Sequence, residues 1–153
     1  MCIRKIYWVL GLAISLVAPT LAQEFPLKIE QGWVRAVPPS ASNSVAYMTL
    51  VNSSEQTLRL TGASTPIAES TMLMITTRHE LNGQEIEGMR MVERFTIPAH
   101  GQLRLEPDGD HLMLMKLKEH PKPGDKVKLA LRLEPGSKEL TVELPVAVNK
   151  PWD

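Results

Sequence analysis

Apolar and polar residues alternate along much of this chain, and no stretch of a dozen residues keeps a helical stripe. The alternation predicts strands at Ser44 to Asn52, Thr57 to Ala63, Thr71 to Glu80, Glu85 to Glu93, Gln102 to Glu106, His111 to Leu117, Lys126 to Glu134 and Glu139 to Pro145. It is plainest in Lys126 to Glu134. There Val127, Leu129, Leu131 and Leu133 fall on one face, and Lys126, Lys128, Ala130 and Arg132 fall largely on the other, as in a strand with one wet face. Most of the twelve prolines and nine glycines lie between these segments, where they make turns and oppose long helices.

Short strands at this spacing, without crossover helices, predict an all-β, antiparallel Greek-key sandwich of the cupredoxin-like or immunoglobulin-like kind. Residues 1 to 22 stand apart. Arg4 and Lys5 precede an apolar run, Ile6 to Val17, that is short for a membrane span, and Thr20-Leu21-Ala22 offers small residues for cleavage. The segment reads as a signal peptide cleaved near Ala22, the alternative being an uncleaved anchor. Cys2 precedes the apolar run instead of following it, which argues against a lipoprotein. The rest, 23 to 153, is long enough for a single domain with its own core. The tail Asn149 to Asp153 is expected to be loosely held.

Cleavage would remove the only cysteine, so neither a disulfide nor a thiolate is expected in the mature chain. It would also remove Arg4 and Lys5, taking the 17 basic residues to 15 against 17 acidic ones. That near-neutral balance points to no nucleic-acid or acidic-membrane partner. A blue-copper electron carrier lacks its cysteine ligand, and covalent haem attachment lacks Cys-x-x-Cys-His. No nucleophile and base arrangement is visible, so no enzyme activity is expected.

Methionine is where chemistry enters. Beyond the initiator there are seven, and six form three pairs spaced i, i+2: Met72 with Met74, Met89 with Met91, and Met113 with Met115. In a strand that spacing puts both side chains of a pair on one face. Asn82-Gly83, between the first two pairs, is a strong signal for a two-residue hairpin turn. Counting outward from it sets Met74 opposite Met91, with Leu73, Ile75, Ile86 and Val92 on the reverse, core-facing side. Opposed side chains have Cβ atoms about 4.5 to 5.5 Å apart, within reach of two thioethers converging on one ion. His111, Met113 and Met115 share one face of their own strand, and Leu112 and Leu114 the other.

Thioethers beside an imidazole suit Cu(I), whereas calcium and magnesium take oxygen ligands and zinc takes thiolate, imidazole or carboxylate. Methionine is also a common gap-filler in cores, and any single pair is better read that way. Three pairs, two of them joined by a turn and one beside a histidine, favour the metal. Met48 has no soft neighbour and is expected in the core. His79 falls on the reverse face of its strand, and His100 and His120 fall in turns, so none of the three is expected to ligate.

These residues resemble the periplasmic copper chaperone family called PCuAC, whose motif runs His or Met, ten residues, Met, about twenty-one residues, then His-x-Met. His-Leu-Met-Leu-Met at 111 to 115 is similar to the family's signature strand, and Pro-Lys-Pro-Gly-Asp-Lys-Val-Lys-Leu at 121 to 129 is similar to the segment after that strand. Gly-Trp-Val-Arg-Ala-Val-Pro-Pro at 32 to 39 and Ala-Tyr-Met-Thr-Leu-Val-Asn at 46 to 52 resemble its opening. The resemblance implies the ligands Met74, Met91, His111 and Met113, with Met72, Met89 and Met115 as second choices. Two departures stand out: methionine where histidine is commoner at the first position, and sixteen residues between Met74 and Met91 with nineteen more before His111. Literal spacing would choose Met89, which has twenty-one residues before His111, but only Met91 pairs with Met74.

The implied role is a monomeric periplasmic carrier of one Cu(I) per chain. Its partner would be a copper-accepting protein, such as a cytochrome oxidase subunit or another copper chaperone. The alternatives are a copper-buffering or resistance protein with the same site, and a metal-free sandwich module for adhesion or assembly.

Overall fold

The computed structural model describes residues 26 to 151; the expected signal peptide and its cleavage point lie outside them. In chain order the strands are β1 (Leu27–Arg35), β2 (Ser44–Asn52), β3 (Leu58–Ser64), β4 (Ala68–Leu81), β5 (Gln84–Val92), β6 (Phe95–Ile97), β7 (Gln102–Leu105), β8 (His111–Leu117), β9 (Lys126–Glu134) and β10 (Lys138–Ala147). The described residues contain no helix. The eight strands expected from alternation are all present, with ends displaced by at most three residues.

β1 and β6 were not expected, for different reasons. β6 has three residues, too few to show a period. β1 is long, but its alternation is broken at Gln31, whose φ is 50°, where the pairing with β2 shifts between Glu30 and Trp33. The extra residue turns the strand and re-aims the side chains beyond it, which is what a β-bulge does. Gly32 fits this place because a Cβ there would collide with Leu144.

Hydrogen-bonded neighbours run in the order β5-β4-β8-β2-β1-β10-β9-β3-β6, with β7 also paired to β2. All pairs are antiparallel except β1 with β10, which run parallel through Val34 opposite Val146 and Arg35 opposite Ala147. One continuous core joins the two ends of this path. Leu50, Leu112 and Leu114 enter it from β2 and β8, and Leu60, Leu129 and Leu131 from β3 and β9, all out of solvent. Each buried leucine contributes about 1.5 to 3 kcal/mol of transfer free energy. In β9 the four expected core residues are all buried, and Met48 joins the core as its lack of soft neighbours implied.

One expected core residue is not there. Ile86 is 46% exposed, because the β4–β5 ladder continues seven residue pairs beyond Met74 and Met91, past the reach of the second layer. Leu73 is buried, and Ile75 and Val92 pack against the core as expected. Asn82 and Gly83 both have positive φ, 53° and 76°, as a type I′ turn requires.

Candidate metal centre

β4 lies between β5 and β8, and the two ladders assemble the soft donors. On one side Met74 is directly opposite Met91; on the other it is directly opposite His111. Thus three donors stand abreast across three adjacent strands, with Met74 in the middle. One step along, Met72 is directly opposite Met113, and Met115 is opposite Ser70. Directly opposed Cβ atoms are about 4.5 to 5.5 Å apart, and diagonal ones about 7 to 8 Å, distances that long thioethers span.

Alternation sends Leu73, Leu112 and Leu114 into the core from the same strands. The sulfur atoms therefore sit on the outer face, over a layer of hydrocarbon. Exposure along that face is graded. His111 is 5% exposed; Met72, Met74, Met113 and Met115 are half-buried; Met89 and Met91 on the edge strand are each 60% exposed. Met89 faces Thr76, not a second donor.

The imidazole is held by the turn before β8. His111 Nδ1 lies 2.9 Å from the Gly109 carbonyl oxygen. A carbonyl can only accept, so Nδ1 carries the proton and the lone pair on Nε2 is free for a metal. The same carbonyl accepts from Thr76 Oγ1 at 2.8 Å, and Asp110 Oδ1 accepts from the Thr76 amide at 3.3 Å. The central donor strand and the imidazole thus share one anchor. Replacing Thr76 by valine removes one donor to it. We expect a stability loss of about 1 kcal/mol and roughly tenfold faster solvent exchange of the His111 Nδ1 proton; an unchanged exchange rate would disconnect Thr76 from the ring.

Behind His111 the outer face is aromatic. The Tyr47 ring centre lies 6.5 Å from that of His111 and 4.9 Å from that of Trp33, with the Arg35 guanidinium 5.6 Å over Tyr47. Burial pushes the Tyr47 phenol above its ordinary pKa; Arg35 pulls it down and Asp108 pushes it up. It therefore stays protonated at neutral pH and offers no phenolate. Among the described residues no three His, Cys, Asp or Glu side chains are grouped to hold a metal. The donors that do cluster are thioethers and one imidazole.

The remaining histidines are elsewhere. His79 is exposed on the reverse face of β4, and His100 is exposed in a turn at a φ of 52°. His120 Nε2 is spent on the Ala41 carbonyl at 2.9 Å. Sequence reasoning missed the anchors Thr76, Gly109 and Asp110, and the opposition of Met72 to Met113, because each depends on how β8 aligns with β4.

The fold and the row of soft donors define a PCuAC-type β domain. Residues 27 to 146 match the family described as "LpqE-like: Putative lipoprotein LpqE-like", and the chain belongs to this PCuAC-like family. It is 32% identical over 122 residues to "Putative lipoprotein Lxx21020" of Leifsonia xyli subsp. xyli, covering 80% of this chain and 68% of that protein. The solution structure of CuI-DR1885 from Deinococcus radiodurans has 44% identity and a TM-score of 0.65, covering 84% of this chain and 83% of that one. The copper-bound PCuAC domain from PmoF2 shares the fold at 21% identity, with a TM-score of 0.66 and coverage of 82% and 95%.

Proposed function

We propose that this chain is an exported Cu(I) chaperone that holds one ion through Met74, Met91, His111 and Met113 and passes it to another protein. The observation that supports this most directly is the placement of Met74 between Met91 and His111 in one cross-strand row. Thioethers bring no charge and no proton to the bond, and a neutral imidazole adds a directed nitrogen, a set suited to Cu(I). Such ligands exchange readily. The half-open face leaves room for an acceptor to replace them one at a time. The copper-loaded relative from Deinococcus radiodurans agrees with this cargo.

In this reading residues 1 to 22 direct export to the periplasm and 23 to 153 form one monomeric domain. The relatives' lipoprotein names agree with export. Cys2, the sole cysteine, lies ahead of the apolar run, so a cleaved peptide without a lipid anchor is the form proposed. The destination is the assembly of cytochrome c oxidase, or another copper chaperone on the way to it.

The test begins with Cu(I) titration of the purified mature chain, with X-ray absorption to count neighbours. The expected result is one ion per chain with three sulfur neighbours and one nitrogen. Oxygen-dominated coordination, or no uptake, would overturn the site. Met72→Leu distinguishes Met72 from Met74 as the β4 ligand. Oxidase activity in a deletion strain then separates delivery from buffering: normal activity with copper sensitivity alone would identify a buffer.

A further inference from the structure

A carrier must release its ion as well as hold it, and the structure gives this release a direction. Exposure of the soft donors rises from His111 through the β4 methionines to Met91 and Met89 on β5. Among the described residues β5 is the edge of the sheet, with no strand beyond it. Met89 lies two residues from Met91 on the same side of the strand, yet it faces Thr76. It is therefore a thioether next to the cluster with no donor opposite it.

The hairpin beyond this point is polarised. The β4–β5 pairing is unbroken from Leu73 to Leu81, so parity assigns each side chain to a face. Arg78, Glu80, Glu85 and Glu87 share the face of Met89 and Met91, and the Arg78 to Glu85 ion pair, 3.7 Å, shows that these side chains do meet. The reverse face carries His79 and Arg90 and no carboxylate. An exposed thioether pair bordered by a net negative arm complements a protein that presents soft ligands within a basic rim.

Building on the proposed Cu(I) site, the geometry points to the metal-side face of the β4–β5 arm as the docking surface for a basic copper-accepting protein, with Met89 as the hand-over ligand. Met89 does not hold the resting ion. It takes a place on copper as Met91 lets go, while the incoming ligands approach over the edge of β5. The glutamates steer that approach without touching the metal.

Two synthetic peptides with the same methionine and histidine donors, one flanked by lysines and one by glutamates, serve as acceptors from the Cu(I)-loaded mature chain. The lysine peptide should take copper at least about tenfold faster at low ionic strength, with the gap closing near roughly 0.5 M salt. Glu80→Lys, Glu85→Lys and Glu87→Lys together should reverse the preference without changing Cu(I) affinity. Met89→Leu should keep affinity, measured against a chelator, within about threefold, while slowing transfer to the lysine peptide by about tenfold.

Equal rates for the two peptides, or a Met89→Leu chain that transfers at the wild-type rate or loses affinity in step with rate, would overturn the proposal. Failure of the copper site itself would appear earlier, as no uptake in the titration. In that event the docking face is decided on the copper-free chain. Amide signals of β4 and β5 shifted by the lysine peptide and not by the glutamate peptide uphold it, and unshifted signals sink it.

Discussion

The Met91→Ala, His111→Ala double variant should lose Cu(I) affinity by about three orders of magnitude or more. Outer-shell changes alone cost roughly 10- to 100-fold in metal sites, so the loss of two direct ligands should exceed that range. The two substitutions differ in what else they disturb. Met91 is largely exposed on the edge strand, so its truncation removes little packing. His111 is buried and donates to the Gly109 carbonyl, which keeps its bond from Thr76 Oγ1, so its removal adds a structural cost of about 0.5 to 1.5 kcal/mol for the one hydrogen bond lost. Chelator competition reads the affinity and urea unfolding reads the stability. A double variant that binds within about threefold of wild type would remove both residues from the ligand set, since exchange with Met72 or Met89 cannot replace an imidazole.

The site's legibility depends on the range of the interactions that build it. The β4–β5 hairpin is local: Asn82-Gly83 admits one tight turn, and counting outward aligns Met74 with Met91, the pairing that the structure has. β8 is distant in sequence, and nothing within His111 to Leu117 says which strand it joins or in what register. Its i, i+2 spacing reveals a donor face, but the oppositions of His111 to Met74 and Met113 to Met72 emerge only from the assembled sheet. The same holds for Thr76, an ordinary strand residue until the turn at Gly109 is brought against it. Ile86 shows the converse. Alternation assigned it correctly to the hydrocarbon side, but a face is buried only where another layer covers it, and the arm outruns that layer. β1 was hidden because a bulge interrupts the period on which its detection depends.

β8 allows the two faces of one strand to be separated experimentally, because neighbours in sequence do opposite work. Leu112 is completely buried, opposite Ala46 on one side and Leu73 on the other. Leu112→Ala leaves a cavity in the core, with an expected loss of about 2 to 5 kcal/mol. That is a large share of the roughly 5 to 15 kcal/mol that holds a typical domain together. The side chain faces away from the donors, so Cu(I) affinity of the molecules that remain folded should change by no more than about threefold. Met113→Leu is the mirror case. It conserves volume and costs less than about 1.5 kcal/mol, yet replaces a sulfur donor with a methyl group that cannot bind copper. Affinity should fall about tenfold or more with the unfolding midpoint little changed. If Met113→Leu instead left affinity intact, or if Leu112→Ala weakened copper binding as severely as stability, the division of β8 into a core face and a metal face would fail. The half-buried methionines would then be packing residues, and the proposed cargo would have to be bound elsewhere.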